Sequence, residues 1–192
     1  MKAVSMIAGV LALGGCSLGG KAPRQLLSLS ATAAVAPGTV RTAQAGETVT
    51  VLVPSAAAAL AGQRVPVYDG GIAVAYVKDA RWIDTPARQF QRLLSETVAA
   101  RTGRVVLDLR QSIADPGTQL SGSLVAFGID AAAGQAVVTF DASLARTSTS
   151  VTTRRFEARV PVATIDALGS ATALNQAANS VAADVAAWLG QG

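Results

Sequence analysis

The sequence holds no histidine. That removes an imidazole general base, a Ser-His-Asp arrangement and histidine metal ligands in one step. Cysteine occurs once, at Cys16, so the chain cannot close an internal disulfide or build a thiolate zinc site. Beyond Lys2 the only lysines are Lys21 and Lys78, and no Ser-x-x-Lys occurs. A phosphate loop of the form G-x-x-x-x-G-K-[ST] is likewise missing. Charged residues make up 15% of the chain and aromatics 4%. The net charge of +4 is scattered, and only Arg154-Arg155 sets two cations side by side. That is not the basic stripe of a nucleic-acid binder, and no nucleic-acid partner is expected. The sparse carboxylates fall mostly in polar breaks and helix-cap positions, where turn and cap chemistry accounts for them.

What is present begins with an apolar run. Met1-Lys2 leads into residues 3–13, a short basic start followed by apolar residues, which is the layout of a secretory signal. Spanning a bilayer as helix takes roughly 20 apolar residues, so the run is too short for that. It closes on Leu13-Gly14-Gly15-Cys16, which resembles a lipobox. The expectation is a lipoprotein signal peptide over 1–15, then Cys16 carrying diacylglycerol on sulfur and an acyl group such as palmitate on its freed amine. Two or more chains anchor stably where one binds marginally, at about 0.8 kcal/mol per buried CH₂. Ser17 stands where an aspartate would favour retention at the inner membrane. In a Gram-negative cell this points to the periplasmic face of the outer membrane.

Residues 16–46 read as the lipidated N-terminus and a tether, rich in Gly, Ala, Pro, Ser and Thr apart from Leu26-Leu27-Ser28-Leu29. The folded domain is expected over 47–192. Residues 48–53 alternate as a strand that Pro54 ends. Residues 56–61 give a helical turn at most. Residues 65–68 and 72–76 flank Asp69-Gly70-Gly71 as a hairpin, whose first arm contains Pro66 and so belongs at an edge or strand end. Asp84 or Thr85 caps a helix that starts at Pro86 and stops at Gly103. Its apolar face is Phe90, Leu93, Leu94 and Val98, with Arg88, Arg92, Ser95 and Glu96 away from it. Residues 105–109, 120–129, 135–144 and 151–162 are further strands, with turns at 115–117, 130–134 and 148–150. Leu174, Ala178, Val181, Val185 and Trp188 recur at helical spacing before Gly190. The order β-β-β-α-β-β-β-β-α predicts an α+β two-layer sandwich, a largely antiparallel sheet with two main helices packed on one face.

Several stretches resemble the ABC-type transport auxiliary lipoprotein family, small lipoproteins that accompany MCE-domain lipid transporters such as the Pqi and Mla-like systems. Arg24-Gln25-Leu26-Leu27-Ser28-Leu29 is similar to the family's short Tyr-x-Leu segment, with Leu26 and Leu27 in place of its tyrosine pair. Residues 64–76, then Ala80-Arg81-Trp82-Ile83-Asp84-Thr85-Pro86, resemble its Tyr…Arg-Trp-x-(acidic)-x-Pro block leading into a helix. Residues 120–144 and 173–189 resemble its C-terminal half, while 31–46 have no clear counterpart. The resemblance implies a non-enzymatic subunit of a lipid-transport system, with no cofactor and no metal. It would sit at the outer membrane, dock or extend the periplasmic lipid route, and assemble as a homo-oligomer. Its implied partners are an MCE-domain protein and ABC transporter subunits, with ATP hydrolysis on a separate chain. Tyr76, Arg81 and Trp82 become candidates for a partner or subunit contact, because aromatic and Arg side chains dominate interface energetics. The alternative for Trp82 is a core position beside the helix start. Three other readings stay open: an assembly lipoprotein for lipopolysaccharide or outer-membrane proteins, a structural lipoprotein on peptidoglycan, and a hydrolase using two carboxylates about 5–10 Å apart.

Overall fold

The computed structural model of the chain describes residues 25–44, 46–113, 117–147 and 150–191. The signal peptide, Leu13, Gly14, Gly15 and Cys16 lie outside the described residues, as do positions 115–116 and 148–149 of two expected turns. The chain forms β1 (Val49–Val51), β2 (Ser55–Ala56), β3 (Arg64–Asp69), β4 (Ala73–Arg81), α1 (Pro86–Thr102), β5 (Val106–Leu107), β6 (Thr118–Asp130), β7 (Gln135–Thr147), β8 (Ser150–Pro161) and α2 (Ala167–Gly190). This is the expected α+β architecture. A 3-10 turn over Ala58–Leu60 is the short helical piece anticipated there.

The longest pairing is an antiparallel meander of β6, β7 and β8. Leu120 and Leu124 on β6 face the core, and so do Ala136, Val138, Phe140, Ala142 and Leu144 on β7. Their alternation is the period of two that a half-buried strand requires. A bulge between Leu124 and Ala126 shifts that period by one, so Phe127 and Ile129 continue the buried row. Gly122 sits within the row because nothing larger fits. A Cβ there would lie 2.1 Å from the Asp141 carbonyl oxygen and 2.7 Å from the Phe140 ring.

The other edge of β6 is filled in pieces. β1, β2 and β3 each run parallel to it, at residues 118–120, 123–124 and 129–130 in turn. β5 pairs parallel to β1, and β4 pairs antiparallel to β3. Antiparallel ladders carry most of the sheet, yet these short parallel pairings make it mixed. They also place β3 inside, between β4 and β6, whereas Pro66 had suggested an edge or a strand end. Its missing N–H costs nothing there: Pro66 sits at a register shift against β4, and the β6 ladder begins one residue later at Val67.

Both helices form where their apolar stripes predict. Pro86 is the first residue of α1, and Gly103 ends it in the left-handed region at φ 73°, which a residue without Cβ adopts freely. Phe90 meets Phe140 edge-on with ring centroids 5.2 Å apart, tying α1 to β7. α2 is capped by Asp166, whose carboxylate accepts from the Gly169 N–H at 2.7 Å. Its buried residues are broader than one stripe, from Ser170 to Leu189, because it packs on β7, β8 and α1 together. Trp188 is half-buried and lies against Phe156, centroids 5.6 Å apart.

From Leu27 onward the stretch read as tether lies against the domain. Leu27 extends the sheet in a parallel bridge to Trp82: its N–H donates to the Arg81 carbonyl and its carbonyl accepts from the Ile83 N–H, both at 2.8 Å. The chain then crosses the helices as an extended strap. The Leu29 N–H donates to Gln89 Oε1 and the Val35 N–H to Glu96 Oε1, both on α1. The Ser30 N–H donates to Asn175 Oδ1 and the Thr32 N–H to Asn179 Oδ1, both on α2. Odd residues bond one helix and even residues the other, as the alternating N–H directions of an extended chain dictate. Two strand residues advance about 6.6 Å and four helical residues about 6 Å, so the 30-to-32 step matches the step from Asn175 to Asn179. Further on, the Arg41 guanidinium donates to the Ala99 and Arg104 carbonyls near the end of α1.

Candidate functional site

The three residues singled out near the helix start do not form one face. Trp82 has no exposed surface and meets Phe127 edge-on at 5.7 Å, deep in the core. Its Nε1 has no hydrogen-bond partner among the described residues. Tyr76 is half-buried and Arg81 exposed. The cause is strand alternation, since neighbours along an extended chain point to opposite sides. Trp82 is therefore removed from the contact surface, and the core position is its place.

The outward side chains gather on the edge formed by β3 and β4. Arg64 and Arg81 are register partners across the hairpin. The Arg64 guanidinium lies over the Tyr76 ring, 3.9 Å from its centroid, a cation–π contact that holds the arginine flat along the strand. Arg81 Nε donates to Gln63 Oε1 at 3.0 Å, and Gln63 Nε2 donates to the Ile83 carbonyl at 3.1 Å. Asp79 takes φ 55°, which Asp tolerates better than most residues, and it interrupts the regular β3–β4 pairing between Tyr76 and Arg81. The resulting cleft, about 590 Å³, is lined by Gly62, Gln63, Arg64, Lys78, Asp79 and Arg81 over a floor of Val77 and Ala80. Arg64, Lys78 and Arg81 give it three cations against the single carboxylate of Asp79. Beside it, Leu26 and Ile83 flank the Leu27–Trp82 bridge and are 52% and 54% exposed. Sequence reasoning passed over Gln63, Lys78, Leu26 and Ile83, whose proximity depends on the strap bridging the sheet.

A second charged surface covers the outer face of β7 and β8. Asp141 and Arg155 stand directly opposite and form a bidentate pair at 2.6 and 2.7 Å. The guanidinium hydrogen bonds hold the Asp141 carboxyl below its ordinary value. Glu157 accepts from Arg159 at 2.7 Å and from the Thr139 hydroxyl at 2.9 Å, and these bonds lower its pKa too. Arg159 also reaches Asp130 at 3.3 Å. Carboxyls held ionised in this way accept hydrogen bonds and are poor proton donors, so the network ties the outer face of β7 to β8. Inside the same sheet, burial raises the pKa of Tyr68, whose oxygen accepts from the Phe127 N–H.

No three Asp or Glu side chains among the described residues come together as a metal site. No described helix is long and apolar enough to cross a membrane.

The protein-family model described as ABC-type transport auxiliary lipoprotein component matches residues 27–186. That span takes in residues 31–46, for which motifs gave no counterpart, and begins at the first residue of the strap bridge. No curated protein matches the chain. Among solved structures, the chain is similar to the Xanthomonas campestris protein XCC0632, of the family DUF330, with TM-score 0.67 and 18% identity over 86% of this chain and 94% of that one. It is also similar to an uncharacterized protein, with TM-score 0.65 and 14% identity over 76% and 94%. At such identities the likeness is one of fold.

Proposed function

The chain belongs to the ABC-type transport auxiliary lipoprotein component family, and from that membership we propose that it is a non-enzymatic, lipid-anchored subunit of an MCE-type lipid transport system. Its anchor is Cys16, freed by cleavage after Leu13-Gly14-Gly15, and its place is the periplasmic face of the outer membrane. There it docks or extends the periplasmic lipid route as a homo-oligomer, with an MCE-domain protein and ABC subunits as partners.

The observation that carries this reading is the family match over nearly the whole folded domain. Two features of the molecule support it. The side chains with chemistry to offer are spent on structure: Gln89, Glu96, Asn175 and Asn179 hold the strap, and Asp141 and Glu157 are tied to arginines. The edge that carries Tyr76 and Arg81 is open to solvent and holds a shallow basic cleft, which suits a contact with a partner.

The test is crosslinking in cells, detergent extraction, purification of the tagged lipoprotein and mass spectrometry. Recovery of an MCE-domain protein with its ABC subunits is the expected result. Recovery of a lipopolysaccharide or outer-membrane-protein assembly machine in their absence would replace the transport reading with the assembly one.

A further inference from the structure

We infer that the basic cleft at the β3–β4 edge, with Leu26 and Ile83 beside it, rests on the anionic headgroups of the membrane that holds the anchor. The inference depends on lipidation at Cys16 and assigns a partner to the contact surface described above.

The first argument is reach. Leu27 is fixed on the sheet edge by its bridge to Trp82, so the chain from Cys16 joins the domain beside the cleft. Ten residue steps separate Cys16 from Leu26, which span at most about 35 Å when fully extended. The edge that receives this linker is therefore held within about 35 Å of the anchor, so it can reach the bilayer surface.

Charge is the second argument. The linker contributes Lys21 and Arg24 and no carboxylate. The cleft adds Arg64, Lys78 and Arg81, with Asp79 as the only acid lining it. Among the described residues none of these three cations enters an ion pair, whereas on β8 Arg155 and Arg159 are paired with carboxylates and only Arg154 is not. Juxtamembrane clusters of basic residues are attracted to anionic lipid within a Debye length of the surface.

Composition is the third. Strand alternation sends Trp82 and Leu27 inward and leaves Leu26, Arg81 and Ile83 outward. Half-exposed aliphatics, a half-buried tyrosine under an arginine, and long cationic side chains are the groups that divide themselves between headgroups and acyl boundary. Each is individually ordinary on a protein surface. Here they share one edge, at the point where the linker arrives.

The experiment uses the full lipidated chain in vesicles of phosphatidylcholine, with or without phosphatidylglycerol. Lipid occupies the Cys16 sulfur, so Ile83→Cys offers one thiol for a nitroxide, and Thr153→Cys on β8 gives the control. The readout is collision of the label with oxygen, which partitions into lipid, and with a water-soluble relaxant. The expected result is a several-fold gain in oxygen collision and loss of relaxant collision at residue 83 with phosphatidylglycerol only. It should vanish in 0.5 M salt (roughly 4 Å Debye length) and when Arg64, Lys78 and Arg81 are changed together to Gln, all three being exposed. A label at 83 as wet as that at 153 in both vesicles, on protein that floats with them, overturns the inference. So does shielding that follows protein density rather than phosphatidylglycerol, which would mean contact between copies. Protein that fails to float overturns the anchor reading and this inference with it.

Discussion

Removing the Asn179 side chain tests whether the strap is part of the fold. In the native chain its Oδ1 accepts from the Thr32 N–H at 2.8 Å and the Thr32 hydroxyl at 3.0 Å, while Nδ2 donates to the Ser30 carbonyl at 2.9 Å and the Asn175 carbonyl at 2.8 Å. Asn179→Ala deletes three bonds to the strap and one within α2. A net hydrogen bond contributes about 0.5–1.5 kcal/mol. Water can reach Ser30 and Thr32, which are exposed, so the lower half of that range applies and the loss is about 2 kcal/mol. For a domain of this size that lowers Tm by about 4–8 °C. Hydrogen exchange locates the effect. The amides of Leu29, Ser30, Thr32 and Val35 should lose protection together, while those of β6 and β7 change only with global stability. Asn179→Asp sharpens the test, because a carboxylate keeps the acceptor and faces the Ser30 and Asn175 carbonyls without a proton to donate. At neutral pH the variant should therefore lose stability through the two carbonyls it leaves unbonded while keeping the Thr32 bonds. An Asn179→Ala protein with unchanged unfolding midpoint and unchanged exchange at residues 29–35 would refute the account of the strap.

Trp82→Ala should cost about 3–5 kcal/mol by emptying the core beside Phe127. Trp82→Phe should cost much less, since it retains a ring and removes a buried N–H that has no partner among the described residues, as denaturant midpoints will read. Gly122→Ala places a Cβ against the Asp141 carbonyl and the Phe140 ring, and should destabilise by about 2–3 kcal/mol in the same assay. The lowered pKa values of Asp141 and Glu157 add stability that is complete above their unfolded values and is lost as pH falls through the folded ones. Thermal melts from pH 6 to pH 2 should thus show an acid limb, which Arg155→Ala and Arg159→Ala together flatten.

Helices and long strands were legible because their signals are local. The stripe of Phe90, Leu93, Leu94 and Val98 and the alternation along β7 each need only a window of ten residues or so. The short parallel pairings of β1, β2 and β3 on β6 involve two or three residues apiece, with no turn between partners, so no local pattern announces them. The strap did carry a signal. Leu27-Ser28-Leu29-Ser30-Ala31-Thr32-Ala33 alternates apolar and polar with a period of two, and its odd residues are the more buried ones. Small side chains hid the pattern, and the acceptors that complete it lie 60 to 147 residues away, on helices that read as ordinary. Trp82 was left between contact and core for a related reason. Arg-Trp-Ile reads as a cluster by composition, yet the extended backbone divides it between two faces.

The strap also fixes the order in which the domain can be completed. Ser30 meets Asn175 across 145 residues and Thr32 meets Asn179 across 147, among the most distant pairings in the chain. Contacts of such separation close late, because the intervening loop must first be ordered. A polypeptide that emerges N-terminus first therefore holds Ser30 and Thr32 without their helix partners until α2 has arrived, whereas Leu29 and Val35 can bond α1 earlier. When α2 docks, the same event that finishes the core closes the strap's hydrogen bonds to it, while Ser30 and Thr32 stay open to solvent.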